Sequence, residues 1–332
     1  MFRIQRIRTP FSPTRIGLIH RRKLRMNRTH DAVSEAETNQ KVALGAEVGE
    51  TDGFFTAPNA EELLPIKSDA FLDNIALHPW RPAMDFFPTL ADRGESIEQF
   101  RSLRSQIYQF LDQGPLKTIL ISSGMPAEGK TFVTANLAIS LARNKNHSVL
   151  LIDADLRSPS LHKILGAPNV QGLAEYLAGA AQVNDILQRN KNLSIVEDGI
   201  LRSIPNITFI SGGAGGDSAS ELVANHRFEE LIAVLSPHFD WILVDSPPAL
   251  AFADAIDLAR AADAVLLVAR GATTPYEVAQ RAQAAFSNSR ILGFVLNAVK
   301  DAPHNSSYYY SSYDKNRFTG KVPERKDNRR QG

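Results

Sequence analysis

No cysteine occurs among the 332 residues, which excludes disulfides and thiolate metal sites. No apolar run reaches the roughly 18–20 residues of a membrane-spanning helix. The eight histidines show no metal-ligand spacing, no Ser–His–Asp arrangement is readable, and there are no internal repeats. The net charge is only +1, which gives no overall argument for a nucleic-acid partner. That balance hides an asymmetry. Residues 1–28 hold nine Arg or Lys and no Asp or Glu, and without those nine charges the remainder stands at −8. The basic start lacks the apolar stretch of a secretory signal. It reads as a disordered basic arm, as an arm for a membrane surface, or as sequence ahead of a true start at Met26.

What is present falls into three parts. Residues 1–92 read as an N-terminal extension, basic and then interrupted by Pro58, Pro65, Pro79, Pro82 and Pro88, which break regular structure. Trp80, Phe86 and Phe87 lie among those prolines and are expected to dock on the host domain or on a partner. Residues 93–300 carry the pattern of a domain. Ile97, Phe100, Leu103, Ile107 and Phe110 recur at helical spacing. Six short apolar runs follow, at 118–123, 148–155, 207–213, 241–248, 264–270 and 291–299. They show no in-and-out alternation, so both faces are expected to be buried. That predicts an α/β fold with a mostly parallel sheet flanked by helices. Residues 301–332 are polar, highly charged and aperiodic, as expected of a mobile tail. SGGAGGDSASELV (211–223) reads as a loop before a helix or as a second anion site.

The chemistry is expected at the C-terminal ends of the strands. Gly124, Gly129, Lys130 and Thr131 form G-x-x-x-x-G-K-T between a predicted strand and a predicted helix. Backbone N–H groups of such a loop cradle phosphate oxygens, Lys130 neutralises the β- and γ-phosphates, and Thr131 offers a hydroxyl to Mg²⁺. Asp153 and Asp155 close one apolar run and Asp245 closes another. Carboxylates there are costly unless solvated, paired or metal-bound, and Mg²⁺ takes oxygen ligands. A single such aspartate can also be a helix cap. On an extended strand Asp153 and Asp155 would face the same side.

Four of the seven tyrosines fall in SSYYYSSY (306–313). Together with PAEGKT (126–131), LLIDADLRSP (150–159), DSPP (245–248) and Glu98, Arg101 and Arg104 spaced as E-x-x-R-x-x-R, this resembles the bacterial tyrosine autokinases (BY-kinases). That family belongs to the deviant Walker-type phosphate-loop ATPases. The resemblance covers about residues 93–313 and looks closest to stand-alone cytoplasmic kinases of exopolysaccharide and capsule clusters. The opening MNRTHDAVSEAE also resembles relatives, which supports Met26. Ala127 stands where the family has glycine, which raises a question about the loop's φ angles.

The resemblance implies ATP and Mg²⁺ as cofactors. Gly124, Glu128, Gly129, Lys130, Thr131, Phe132 and Asn297 would bind ATP, with Asn297 at the adenine. Thr131, Asp155 and Asp245 would organise Mg²⁺. Lys130 and Asp153 would be catalytic, Asp153 as base or orienting group. Tyr308, Tyr309, Tyr310 and Tyr313 would be phosphoacceptors. Glu98, Arg101 and Arg104 would make subunit contacts, or else form a solvated helix face. Arg157 would contact phosphate or acceptor, or lie on the surface. The implied partners are a homo-oligomer, a membrane-bound polysaccharide co-polymerase as activator and a cognate tyrosine phosphatase, with no nucleic acid. The implied location is cytoplasmic, at the inner membrane face through that partner. The competing reading is a partitioning or cell-division ATPase acting as a dimer switch. Those carry a further lysine early in the loop, as K-G-G-x-G-K, which GMPAEGK lacks.

Overall fold

The structure is a computed structural model that describes residues 3–5, 69–90, 94–143, 147–192, 194–197, 200–203 and 207–299. In chain order the elements are β1 (Arg3–Gln5), α1 (Asp69–Asp73), β2 (Ala76–His78), α2 (Glu95–Tyr108), β3 (Thr118–Ser123), α3 (Lys130–Ala142) and β4 (Val149–Asp153). Next come α4 (Leu161–Leu165), α5 (Leu173–Leu177), α6 (Val183–Ile186), β5 (Leu187–Asn190), β6 (Ser194–Glu197), β7 (Ile200–Ser203) and β8 (Ile207–Ile210). The last are α7 (Ala219–Ala224), α8 (Arg227–Leu235), β9 (Trp241–Asp245), α9 (Asp254–Leu258), β10 (Ala264–Arg270), α10 (Tyr276–Ala285) and β11 (Ile291–Asn297).

Nine strands form one sheet in the order β1-β11-β10-β3-β9-β4-β8-β5-β2, and β6 pairs with β7 as a separate hairpin. The six strands from β11 to β8 run parallel; β1 and β5 pair antiparallel with β11 and β8. All six come from the six apolar runs. Their lack of alternation has a direct cause: successive residues feed two different cores. Leu150 and Ile152 enter one core with α5, α7 and α8, whereas Val149 and Leu151 enter the other with α2 and α3. Helices on both faces therefore remove all solvent from the central strands. Among the described residues, no helix is long and apolar enough to cross a membrane.

Helix α2 buries Ile97, Phe100, Leu103 and Ile107, as its spacing predicts, the last three in the second core. Phe110 lies beyond the helix end and is only partly buried.

The expected boundary at residue 92 needs correction. Residues 69–90 are part of the domain: β2 adds to the sheet edge beside β5, and Trp80 is 2% exposed, edge-on to Phe209 at 5.9 Å. Phe87 is equally buried, while Phe86 is exposed. The prolines break regular structure without preventing packing. The tail tyrosines and Met26 lie outside the described residues.

A phosphate loop beside strand-end aspartates

The loop between β3 and α3 gathers the predicted site. Gly129 caps α3 with φ +94°, a left-handed conformation that favours glycine. Lys130 and Thr131 open the helix, so their amides are among those with no partner inside it. Ala127 has φ +61°. The loop therefore keeps the left-handed shape that a glycine there would adopt freely, at the strain cost of an alanine Cβ.

Asp153 and Asp245 end the adjacent parallel strands β4 and β9 and are register partners. Neither has any solvent exposure. Asp245 accepts hydrogen bonds from Thr131 Oγ1 at 2.7 Å and Thr134 Oγ1 at 3.2 Å. Asp153 Oδ2 accepts from the backbone N–H groups of Ser160 and Leu161, both at 2.9 Å. Its other oxygen, Oδ1, is buried without a hydrogen-bond partner. Burial pushes the Asp245 carboxyl up to about 6, against the opposing pull of Lys130 and the Thr131 hydrogen bond. Burial, reinforced by the Asp245 charge, holds Asp153 well above the ordinary carboxylate range.

Asp155 differs from expectation in its backbone. β4 ends at Asp153, so Asp155 sits in the following turn, and strand alternation does not place it. It is partly buried and accepts from Ser158 N–H at 3.2 Å. Its carboxyl is raised by burial and lowered by Lys130, so it still shares one electrostatic neighbourhood with the loop.

The donor set fits a hard cation. It consists of the Thr131 hydroxyl and three carboxylates, with one buried oxygen left unpaired. Among the described residues, no group of three or more His, Cys, Asp or Glu is arranged to cage a metal alone.

Other predicted residues have different immediate partners. The Glu128 carboxylate is buried within the loop, where it accepts from Met125 N–H at 2.8 Å and from Thr274 Oγ1. Asn297 Nδ2 donates to the Glu128 carbonyl at 2.9 Å. Phe132 packs near Phe100, with ring centroids 6.1 Å apart. Arg157 bonds Asp254 at 2.9 Å and Ser220, with its guanidinium over Phe252. Glu98 and Arg101 pair on the exposed face of α2 at 2.5 Å, whereas Arg104 turns inward to the Ser140 carbonyl. The glycine-rich stretch after β8 is closed by the protein itself: Glu175 accepts from Gly172 and Ala214 N–H groups.

Sequence reasoning missed Thr134, Ser160, Arg270 and Thr274. Thr134 was accessible, because it lies one turn beyond Thr131 on the same helix face. Ser160 Oγ lies 3.2 Å from Thr131 Oγ1, and only folding brings it there.

The fold and this site define a phosphate-loop nucleotide-binding protein. Residues 119–332 match the family described as the CobQ/CobB/MinD/ParA nucleotide binding domain. Tyrosine-protein kinase YwqD of Bacillus subtilis is 31% identical over 221 residues, covering 65% of this chain and 87% of that protein. Tyrosine-protein kinase wzc of Salmonella typhimurium is 32% identical over 222 residues, covering 66% of this chain. The chain spans only 29% of the length of wzc. The solved kinase domain of the Escherichia coli tyrosine kinase ETK is 29% identical, with a TM-score of 0.52 over 63% of this chain and 79% of that one. The chain belongs to the CobQ/CobB/MinD/ParA nucleotide-binding family and, within it, to the bacterial tyrosine-protein kinases.

Proposed function

We propose that the chain is an ATP-dependent protein-tyrosine autokinase that phosphorylates its own C-terminal tyrosine cluster and regulates exopolysaccharide or capsule synthesis and export. The observation that carries this reading is the bond from Thr131 to Asp245 beside the unpaired oxygen of Asp153. It joins a phosphate-binding helix start to two buried carboxylates at adjacent strand ends.

Lys130 and the loop amides hold the phosphates of ATP. Thr131, Asp245 and Asp155 are the residues that would hold Mg²⁺, which would neutralise charge developing on the phosphates. Asp153 offers Oδ1 to the incoming phenol, as proton acceptor or orienting group. A tyrosine hydroxyl has an ordinary pKa of about 10, so it needs such a partner near neutral pH. Tyr308, Tyr309, Tyr310 and Tyr313 are the proposed acceptors, supplied at high effective concentration by the tail. Four phosphates would add roughly −6 to −8 charges and loosen the oligomer. Glu98 and Arg101 remain available on α2 for a neighbouring subunit. The proposed setting is the cytoplasmic face of the membrane, through a co-polymerase partner that activates the kinase and with a phosphatase that reverses it.

The test is incubation with ATP and Mg²⁺, with phosphotyrosine mapped by mass spectrometry. The wild-type chain acquires phosphate within residues 308–313. Lys130→Ala acquires none, and neither does a tail with all four tyrosines changed to Phe. An unmodified wild-type tail in the presence of the activating partner would overturn the proposal.

A further inference from the structure

We propose that Glu128, Thr274 and Asn297 are positioning residues: Thr274 just beyond β10 and Asn297 at the end of β11 form a bracket that grips Glu128 and sets the phosphate loop in shape before nucleotide arrives. This rests on the loop being the nucleotide site and concerns what holds it, not what it binds.

The loop is a strained element. Ala127 at φ +61° and Gly129 at φ +94° are both left-handed. Such a conformation persists at a non-glycine residue only where the surroundings over-determine it. Here they do, and the bonds come from a distant part of the sequence. Arg270 Nη1 donates to the Ala127 carbonyl at 3.2 Å. Asn297 Nδ2 donates to the next carbonyl, that of Glu128, at 2.9 Å. Thr274 Oγ1 donates to the Glu128 carboxylate, and that carboxylate reaches back to Met125 N–H at 2.8 Å. Both Glu128 oxygens are therefore occupied, one inside the loop and one across to the bracket.

The bracket is itself braced. Thr274 Oγ1 accepts from Arg270 N–H at 2.8 Å while it donates to Glu128. Asn297 is fixed through its own carbonyl, which accepts from Gly271 N–H at 2.7 Å. Its amide nitrogen stands where a side chain at residue 129 would begin, 1.8 Å from the position of a Cβ. Gly129 thus serves both the turn and the close approach of Asn297.

The chemistry explains why a carboxylate is tolerated here. Glu128 is 3% exposed, and its charge is spent on a backbone amide and a hydroxyl within the protein. A free carboxylate beside a phosphate would repel it. Oriented in this way, Glu128 instead ties the loop at Met125 to Thr274, and a loop held in shape presents fixed donors that stabilise an anion without reorganising.

The test uses the full chain and the variants Glu128→Ala, Glu128→Gln, Thr274→Ala and the Glu128→Ala/Thr274→Ala double. Circular dichroism checks folding. Two quantities are read: ADP affinity in Mg²⁺ buffer by titration calorimetry, and hydrogen exchange of amides 124–131 in the nucleotide-free protein. Glu128→Ala should weaken ADP about tenfold and speed exchange in the loop. Glu128→Gln retains an oxygen for Met125 and an amide for the Thr274 hydroxyl, so it should restore both readouts. The double variant should lose less than the sum of the two single losses, because Glu128 and Thr274 share one hydrogen bond. Wild-type behaviour of Glu128→Ala, failure of Glu128→Gln to restore, or an additive loss in the double would each overturn the bracket. Wild-type protein that binds no ADP overturns the nucleotide-site reading, while the nucleotide-free exchange comparison still decides the bracket.

Discussion

Thr131 Oγ1 lies 2.7 Å from Asp245 Oδ2, so the first turn of α3 is bonded to the end of β9. The hydroxyl and the carboxylate that a cation would need are held together before any cation binds. The cost of that arrangement is a fully buried charge, and it can be measured.

Asp245→Asn should stabilise the nucleotide-free protein and abolish phosphoryl transfer. The folded-state value near 6 exceeds the ordinary 3.8 because burial disfavours the ionised form. The stabilising contribution is therefore complete below pH 4 and is lost as pH rises through 6, by roughly 3 kcal/mol. Thermal melts from pH 4 to pH 8 check this: the variant should lack that loss and melt higher at pH 7. A variant less stable than wild type at pH 7 would contradict it.

Lys130→Met should weaken ADP binding by about 10- to 100-fold, the worth of one charge-assisted contact. It also removes the positive charge that lowers the Asp155 and Asp245 carboxyls. The nucleotide-free variant should consequently lose stability more steeply than wild type between pH 5 and pH 8. Calorimetric titration and the same melts read both effects.

Ala127→Gly should relieve the left-handed strain at φ +61°. The strain costs about 1–2 kcal/mol, and glycine's extra freedom in the unfolded chain offsets about 0.5–1 kcal/mol of the gain. A small net rise in the denaturant midpoint is expected, with ADP affinity kept.

Trp80→Ala should destabilise the domain by about 3–5 kcal/mol, the range for truncating a buried tryptophan. Trp80 is 2% exposed in the core shared with α2 and α3. A change below about 1 kcal/mol in urea unfolding would mean that residues 69–90 are not integral to the fold.

The central sheet was legible because its strands are buried on both faces and so appear as continuous apolar runs. The phosphate loop was legible because its glycines, lysine and threonine occupy fixed offsets between a strand and a helix. β2 and β5 were not legible. They are three and four residues long, too short for a period, and edge pairing is chosen by the finished sheet. The direction of the Glu128 side chain was also hidden. Its partner Thr274 is 146 residues away, and nothing local distinguishes a loop glutamate that faces inward from one that faces a ligand. Asp155 was placed near the site for a reason that fails, since its position comes from a turn and not from strand alternation.

The order of strands also sets a distance. β11, from which the tail leaves, is four strand spacings from β4, or about 19 Å at ~4.8 Å each. Tyr308 is nine residues beyond Val299, an extended reach of about 30 Å. A tether of that length can reach from β11 to the end of its own β4, so contour length alone does not force phosphoryl transfer between molecules. Dilution separates the two routes: a per-molecule rate that falls with protein concentration marks a neighbour as donor, and a constant one marks a tail that folds back across its own sheet.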